Sequence, residues 1–133
     1  MGDAPGTRLN RPGPPVRTYA RTLLRTADLQ AVRATTGATL NDVVLGVVAG
    51  ALRSYLLDLD ELPDRPLVAN VPVAGAPTDV PQAPYGNRFS NFFTSLAPDV
   101  ADPIERLAAI SAGTAEAKAQ LDLQGRDTLP AWL

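Results

Sequence analysis

The sequence predicts an α/β fold, arranged as an α+β sandwich, and three observations support this. The chain has 133 residues, enough for one domain with a hydrophobic core. Its composition, 45% hydrophobic and 20% charged, is typical of a globular protein. Its apolar patterns predict strand, helix, helix, strand, strand and helix in that order, which is typical of packed mixed layers.

The beginning of the chain predicts a lead-in followed by a strand. Seven of the first fifteen residues are Gly or Pro, so residues 1–15 are expected to be disordered or extended. Val16–Arg25 is rich in β-branched and aromatic residues, which favour a strand. The first 33 residues also hold six arginines, which could contact a phosphate or an anionic surface, or could form a solvated strand face.

Two helices are predicted next. The first covers Ala27–Thr36, with Thr26 or Asp28 as its N-cap, and it ends at Gly37 in the left-handed conformation.

The second helix begins after Thr39, whose spacing to Asp42 is that of a capping box. Its apolar residues lie on both sides, which predicts burial nearly all round. Because the uncharged run Val43–Leu52 has only ten residues, it is too short to span a bilayer, which needs about 20.

The second half of the sequence predicts two strands and a helix. Pro66–Val73 is apolar except for Asn70, which predicts a strand buried on both faces. A long loop, 74–87, leads to the strand Arg88–Ala97.

The last helix has the clearest start signal. Asp102 is a favourable N-cap, and Pro103 suits the first helical position. One face of the helix continues to about Asp122 and consists of Leu107, Ile110, Thr114, Ala117 and Leu121. Gly125 is expected to end the helix.

Several classes of function are excluded by composition and motif. The net charge of −2 gives no reason to expect nucleic acid, and the chain has neither Cys nor His. The usual general base and the commonest transition-metal ligand are therefore missing, and no metal site or resident cofactor is predicted. Neither GxGxxG nor a P-loop occurs. The residues by themselves predict no catalytic centre.

Three blocks of the sequence, however, resemble a known family. They are TTGATLNDVVLGVVAGALRSYL, ELPDRPLVANVPV and YGNRFSNFFTSLAPDVADPIERLAAIS. In content, order and spacing they are similar to the bacterial wax ester synthase/diacylglycerol acyltransferase family, and LNRPGPPVR resembles the family's segment just upstream. The resemblance covers about Leu9–Leu133.

The resemblance implies an enzyme that transfers a fatty acyl group from acyl-CoA to a diacylglycerol or a long-chain alcohol, in triacylglycerol or wax ester synthesis. It implies a partial fold of the chloramphenicol acetyltransferase and condensation-domain type, in which residues 16–133 are part of the C-terminal half. Acyl-CoA is a substrate, and no bound cofactor is expected. The family's general base is the second histidine of an HHxxxDG motif in the N-terminal half.

Five residues are assigned to substrate binding by the resemblance. Asn41 and Asp42 match the family's Asn-Asp motif near the active-site tunnel, although helix capping alone also explains Asp42. Asn87, Arg88 and Ser90 match a Gly-Asn-Arg-x-Ser block, although a turn into a strand also explains Gly and Asn there. Arg88 could face a phosphate of acyl-CoA, and Ser90 could donate to a developing oxyanion.

The sequence also departs from the family. It has no histidine, no HHxxxDG motif and no Asp-Gly dipeptide, and it reads VPVAGAP where Ser and Arg usually follow VPV. We therefore expect a truncated member or a fragment, which comes from a gene split by frameshift, a degraded gene or a mis-called start and is inactive alone. The alternatives are a non-catalytic module that binds acyl chains or complements a separately encoded catalytic half, and a non-functional remnant. The expected location is the cytoplasm, with peripheral contact to a membrane or lipid droplet left open.

Overall fold

The computed structural model describes residues 4–74 and 89–124. A 3-10 turn, Arg8–Asn10, precedes the helices α1 (Thr26–Thr36) and α2 (Leu40–Leu57). The strands β1 (Val68–Ala74) and β2 (Phe89–Ser95) and the helix α3 (Pro103–Gln124) follow. This mixture of helices and sheet confirms the predicted α/β class. Most of the predicted loop 74–87, and the predicted helix end at Gly125, lie outside the described residues.

The predicted strand Val16–Arg25 is wrong for the part of the chain that the structure describes. This segment lies outside every helix and strand and is exposed throughout. Strand pairing needs a neighbour that supplies the other half of the hydrogen-bond ladder. The described sheet contains only β1 and β2, which pair with each other, so β-propensity alone did not make a strand here.

The predicted lead-in contains one fixed point, the 3-10 turn at Arg8–Asn10. Thr7 caps this turn, and the Arg8 guanidinium donates from Nε and Nη2 to both carboxylate oxygens of Glu61, at 2.9 and 3.0 Å. Arg8 also lies 5.9 Å from the centre of the Tyr55 ring. The start of the chain is thus attached to the C-terminal end of α2. The boundary at residue 15 as a domain limit stays a prediction.

The two predicted helix signals around Gly37 and Thr39 are confirmed. Gly37 has φ of 72°, the left-handed conformation that ends α1 at low cost. The Thr39 hydroxyl accepts from the Asp42 amide at 3.2 Å, and the Asp42 carboxylate accepts from the Thr39 amide at 2.9 Å. The N-cap of α1, by contrast, is Arg25 rather than Thr26 or Asp28, and no side chain caps this helix.

Helix α2 is not buried all round as predicted. Its inner side contributes Val43, Ala49 and Leu56 to the core, whereas its outer side exposes an apolar stripe. The stripe consists of Leu40, Val44, Val47, Val48 and Tyr55, each 40 to 45% exposed. Their spacing places them on one helix face. No described element covers that face, although its pattern is that of a buried one.

The same helix changes the expectation about membrane spanning. Taken as a whole, the 18 residues of Leu40–Leu57 have a mean hydropathy of 1.4 and are long and apolar enough to cross a membrane. The ten-residue uncharged run Val43–Leu52 therefore does not show that this helix is too short to cross a membrane. Core helices of soluble proteins pass the same test, so this finding is weak support for a membrane span.

The strands β1 and β2 form an antiparallel pair in which Val71 lies opposite Phe92 and Asn70 opposite Phe93. Val71 and Phe92 are buried, whereas Asn70 and Phe93 are exposed. Burial on both faces of the first strand was therefore a wrong prediction. One face of the sheet is covered by helix α3, and the other face is open in the described part of the chain.

Helix α3 begins as predicted. The Asp102 carboxylate accepts from the amides of Ile104 and Glu105, at 2.8 and 2.9 Å. Its buried side carries Leu107, Ile110 and Thr114, which match the predicted apolar face. Ile110 joins a core cluster made of Ala49, Leu56, Leu67 and Leu96. The layers thus run from the sheet through α3 to α2, with α1 packed on α2.

Candidate functional site

Asp42 links the start of α2 to the middle of α3. Its carboxylate is 3% exposed, and its Oδ1 accepts a hydrogen bond of 2.6 Å from the Thr114 hydroxyl, 72 residues away. Its Oδ2 accepts from the Thr39 amide within the capping box. Both carboxylate oxygens therefore have partners from the protein itself. This geometry makes Asp42 a positioning residue that fixes where the first turn of α2 lies.

The surroundings of Asp42 favour its charged form. Burial by itself raises the pKa of this carboxyl, but the hydrogen bonds from Thr114 and Thr39 outweigh burial, and Lys118 adds an attraction. The net result is a pKa below the ordinary value of 3.8. Both carboxylate oxygens already accept hydrogen bonds from the protein, and the lowered pKa weakens Asp42 as a proton acceptor, so its geometry favours a positioning role.

The low pKa of Asp42 predicts an acid-sensitive fold. Because the folded pKa lies below the unfolded one, the stability that Asp42 contributes is complete above about pH 4 and is lost as the pH falls through the folded value. We expect the unfolding free energy from urea titrations to fall less steeply below about pH 4 in Asp42→Asn than in the wild type. An Asp64→Asn variant, in an exposed turn, controls for the loss of one charge. An unchanged slope in Asp42→Asn would contradict the assignment.

Asn41, the other half of the predicted pair, is exposed in the first turn of α2. Its side chain is free to meet a ligand from outside, while its neighbour Asp42 holds the turn in place. The two residues therefore have different structural roles, although the sequence places them side by side. Substrate binding by either residue stays a prediction.

The second group of predicted site residues is only partly placed. Asn87 and Arg88 lie outside the described residues. The backbone of Ser90 belongs to β2 and pairs with Val73 of β1. The binding roles of Asn87, Arg88 and Ser90 therefore stay predictions.

Two residues of α3 belong to the neighbourhood of Asp42 and were not predicted as site residues. Thr114 was predicted only as part of the face of the last helix, although a polar residue at a core position could have pointed to a specific hydrogen-bond partner. Lys118, the single lysine of the chain, lies one turn further along α3. Its Nζ is 6.0 Å from the centre of the Phe92 ring, and its charge lowers the pKa of Asp42.

An open groove of about 540 Å³ is lined by residues of both strands, of the segment just before β1 and of α3. Its apolar lining includes Val68, Phe93 and Ala117, and its polar lining includes Arg65, Glu116 and Gln120. Neither Asn41 nor Asp42 lines this groove. The cavity and the predicted Asn-Asp site are thus separate features.

Thr94 carries a buried hydroxyl beside this groove. The residue is 5% exposed, and its Oγ1 has no hydrogen-bond partner among the described residues. An alanine side chain at Gly113 would bring a carbon atom to within 3.0 Å of that oxygen, so the glycine permits the close approach of α3 and β2.

Replacing Thr94 by valine should therefore stabilise the protein. Valine keeps the shape of threonine and removes a buried hydroxyl without a partner, which costs about 1 kcal/mol or more. We expect the unfolding free energy in urea to rise by about 1 kcal/mol. Thr114→Val is the matched control, because it removes a hydroxyl that does have a partner, and it should destabilise. A loss of stability in Thr94→Val would mean that its hydroxyl has an additional partner.

Comparisons with known proteins identify the class of protein that has this fold and this sequence. No family model matches the chain. A Mycobacterium tuberculosis protein named putative diacylglycerol O-acyltransferase is 41% identical over 104 residues, which is 78% of this chain and 20% of the relative. A second protein of that organism with the same printed name is 37% identical over 130 residues, covering 98% of this chain and 26% of the relative.

A solved structure agrees with these relatives. The wax ester synthase/diacylglycerol acyltransferase from Marinobacter aquaeolei VT8 is 36% identical, with a TM-score of 0.53 over 71% of this chain and 20% of that chain. The described fold is therefore a segment of an acyltransferase fold. By sequence and structure, the chain belongs to the bacterial wax ester synthase/diacylglycerol acyltransferase family. It spans about a fifth to a quarter of the length of these relatives.

Proposed function

We propose that this chain is one part of an O-acyltransferase whose complete form transfers a fatty acyl group from acyl-CoA to a diacylglycerol or a long-chain alcohol. One observation carries the proposal. The Asn-Asp pair lies at the start of α2, where Thr114 fixes Asp42, in a chain 37 to 41% identical to relatives named as diacylglycerol O-acyltransferases. Triacylglycerol and wax ester are both compatible products.

The described residues would position the substrate rather than transfer a proton. Asp42 fixes the first turn of α2 through two acceptor oxygens, and this turn presents the exposed amide of Asn41. That amide can donate to a substrate carbonyl or accept from an acceptor hydroxyl. Arg88 and Ser90 would contact the acyl-CoA phosphate and the developing oxyanion, as the resemblance implies.

The proton transfer must come from residues beyond these 133, because they include no histidine. General base catalysis is worth about 10² to 10⁴-fold in rate, before the other contributions of a complete site are counted. We therefore propose that the active form combines these residues with a part that contains the HHxxxDG motif. The location proposed for such an assembly is the cytoplasm, in peripheral contact with the lipid that supplies the acceptor.

Turnover measurements test this proposal. Labelled acyl-CoA is incubated with diacylglycerol or a fatty alcohol, with the chain alone and with the chain co-expressed with a histidine-bearing part of a relative. We expect the chain alone to stay at the buffer blank and the pair to exceed it. A pair in which the motif's second histidine is replaced by alanine is the matched control. Turnover by the chain alone, or none by the pair, would overturn the proposal.

A second candidate function, an acyl-binding module without catalysis, is favoured by the groove beside Thr94. Val68, Phe93 and Ala117 give the groove an apolar lining. Such a module would bind a fluorescent fatty acid in the absence of any partner, and Ala117→Arg would abolish that binding. If the chain neither binds the fatty acid nor supports turnover, it is a non-functional remnant.

A further inference from the structure

The hydroxyl of Thr114 on α3 lies within reach of two acceptors. Its Oγ1 is 2.6 Å from Oδ1 of Asp42 on α2 and 3.1 Å from the backbone oxygen of Ser111, one turn back on its own helix. A hydroxyl has one proton, so it donates to one of these acceptors at a time. Hydrogen bonds from a hydroxyl to a carboxylate are about 2.5 to 2.7 Å long and about twice as strong as neutral ones. The proton is therefore committed to Asp42.

Helix capping does not account for this bond. The capping box uses Oδ2 of Asp42, which accepts from the Thr39 amide. Oδ1 has no part in the capping box, yet α3 supplies it with a donor, Thr114, that is only 1% exposed. Helix α1 begins with no side-chain cap, so a helix of this chain forms without one. Because a buried carboxylate and hydroxyl cost more to desolvate than an apolar pair, their presence points to a requirement for direction.

The bond acts on the end of α2 that carries Asn41. One turn further along, Gly46 faces Leu107 of α3, and an added Cβ there would lie 3.4 Å from that side chain. A glycine has no side chain to interlock with its neighbour, so this contact lets α2 approach α3 closely but does not fix the rotation of α2 about its axis. The bond from Thr114 to Asp42 does fix it, because a short hydrogen bond constrains both a distance and an angle.

The rotation of α2 decides where the Asn41 side chain points. Neighbouring residues of a helix project about 100° apart, and Asn41 is accordingly exposed while Asp42 is buried. The tip of a helical side chain lies about 5 to 6 Å from the axis, so a rotation of about 20° would move it by about 2 Å. Misplacement by about 1 Å can cost about 100-fold in rate when a group must meet a reacting substrate.

We propose that Thr114 is a positioning residue for acyl transfer, which sets the direction of Asn41 through its hydrogen bond to Asp42. This inference rests on the proposed function, in which the Asn41 amide meets the substrate. Thr114 itself touches no substrate, so its replacement should affect the reaction only through the first turn of α2.

Turnover is measured in the active form proposed above, which combines these residues with the part that contains the HHxxxDG motif. Thr114→Val keeps the shape of the side chain and removes the donor. We expect kcat to fall by about tenfold or more, with KM changed by less than about threefold, because the misplaced amide is needed most in the transition state. Thr114→Ser restores the hydroxyl and should return kcat to within about threefold of the wild type.

Ile110→Val is the matched control for this comparison. Ile110 is 0% exposed on the same helix, and its truncation costs about as much stability as the loss of one hydrogen bond, without touching Asp42. It should leave kcat unchanged. Equal falls of kcat in Ile110→Val and Thr114→Val, or a Thr114→Ser variant as slow as Thr114→Val, would overturn the inference. If Thr114→Val does not fold, Thr114→Cys takes its place, because a thiol is a weak donor of similar size.

Amide hydrogen exchange in the same active form supplies a measurement that is independent of turnover. In Thr114→Val, the capping-box amides of Thr39 and Asp42 should exchange about tenfold faster than in the wild type, and in Thr114→Ser they should exchange at the wild-type rate. Unchanged exchange or unchanged kcat in folded Thr114→Val would each overturn the inference. Absence of turnover in the wild type, by contrast, would overturn the proposed function itself and with it the role of Thr114 in the reaction.

Discussion

Replacing Leu56 by alanine is expected to lower the free energy of unfolding by about 3 kcal/mol. Leu56 is 0% exposed and lies where α2 meets the cluster of Leu67, Leu96 and Ile110. Truncation removes buried apolar surface and leaves a cavity that neighbouring elements fill only in part. Urea unfolding of the two chains, followed by far-UV circular dichroism, measures the difference.

The adjacent Leu57 gives a matched control for this prediction. It has the same side chain and the same helix, but it is 51% exposed, so Leu57→Ala should change stability by less than about 1 kcal/mol. Equal losses in both variants would show that Leu57 is buried under the conditions of the measurement. Such a result would point to self-association, which sedimentation of both variants would detect.

Local signals in the sequence predicted the helix ends accurately. The capping box at Thr39 and Asp42, the left-handed Gly37 and the N-cap Asp102 each depend on contacts within a few residues. Spacing along the chain is therefore sufficient to identify them. The bond between Asp42 and Thr114 was not predictable in this way, because 72 residues separate its partners and only packing brings them together.

The main errors concern two surfaces and one predicted strand. The segment 16–25 was expected to pair, α2 was expected to be buried all round, and β1 was expected to be covered on both faces. In the described structure, the segment, the apolar stripe and the outer sheet face are all open. Apolar patterning records every surface that a chain buries, including surfaces covered by polypeptide outside the region described. The chain covers only 20% of each of these relatives, so residues of the family that lie outside the match explain why the segment 16–25, the apolar stripe and the outer sheet face have the pattern of buried surfaces.

At the candidate site, too, the sequence identified the residues but not their separate roles. Asn41 and Asp42 were identified from a short motif, but the motif does not separate a residue that positions the helix from one that meets solvent. Burial, hydrogen-bond partners and the lowered pKa assign the first role to Asp42. Only the exposed side chain of Asn41 is left for recognition from outside the chain.

Replacing Asp42 by alanine is expected to lower the unfolding free energy by about 3 kcal/mol. Loss of the capping box contributes about 1 kcal/mol, and loss of the charged hydrogen bond to Thr114 contributes about 2 kcal/mol. Because this sum is a large fraction of the stability of a small domain, the variant could unfold completely at room temperature. Thr114→Ser keeps a hydroxyl at the same carbon, so it should retain most of the wild-type stability and serves as the conservative control.

Asn41→Ala separates the structural role from the functional one. Asn41 is exposed and its neighbour provides the capping box, so this variant should unfold within about 0.5 kcal/mol of the wild type. In the pair with a histidine-bearing part, it should nevertheless reduce turnover by about tenfold, the loss expected when one hydrogen bond to substrate is removed. Wild-type turnover in Asn41→Ala, together with turnover that follows the folded fraction in Asp42→Ala, would mean that the Asn-Asp pair serves only to hold α2 against α3.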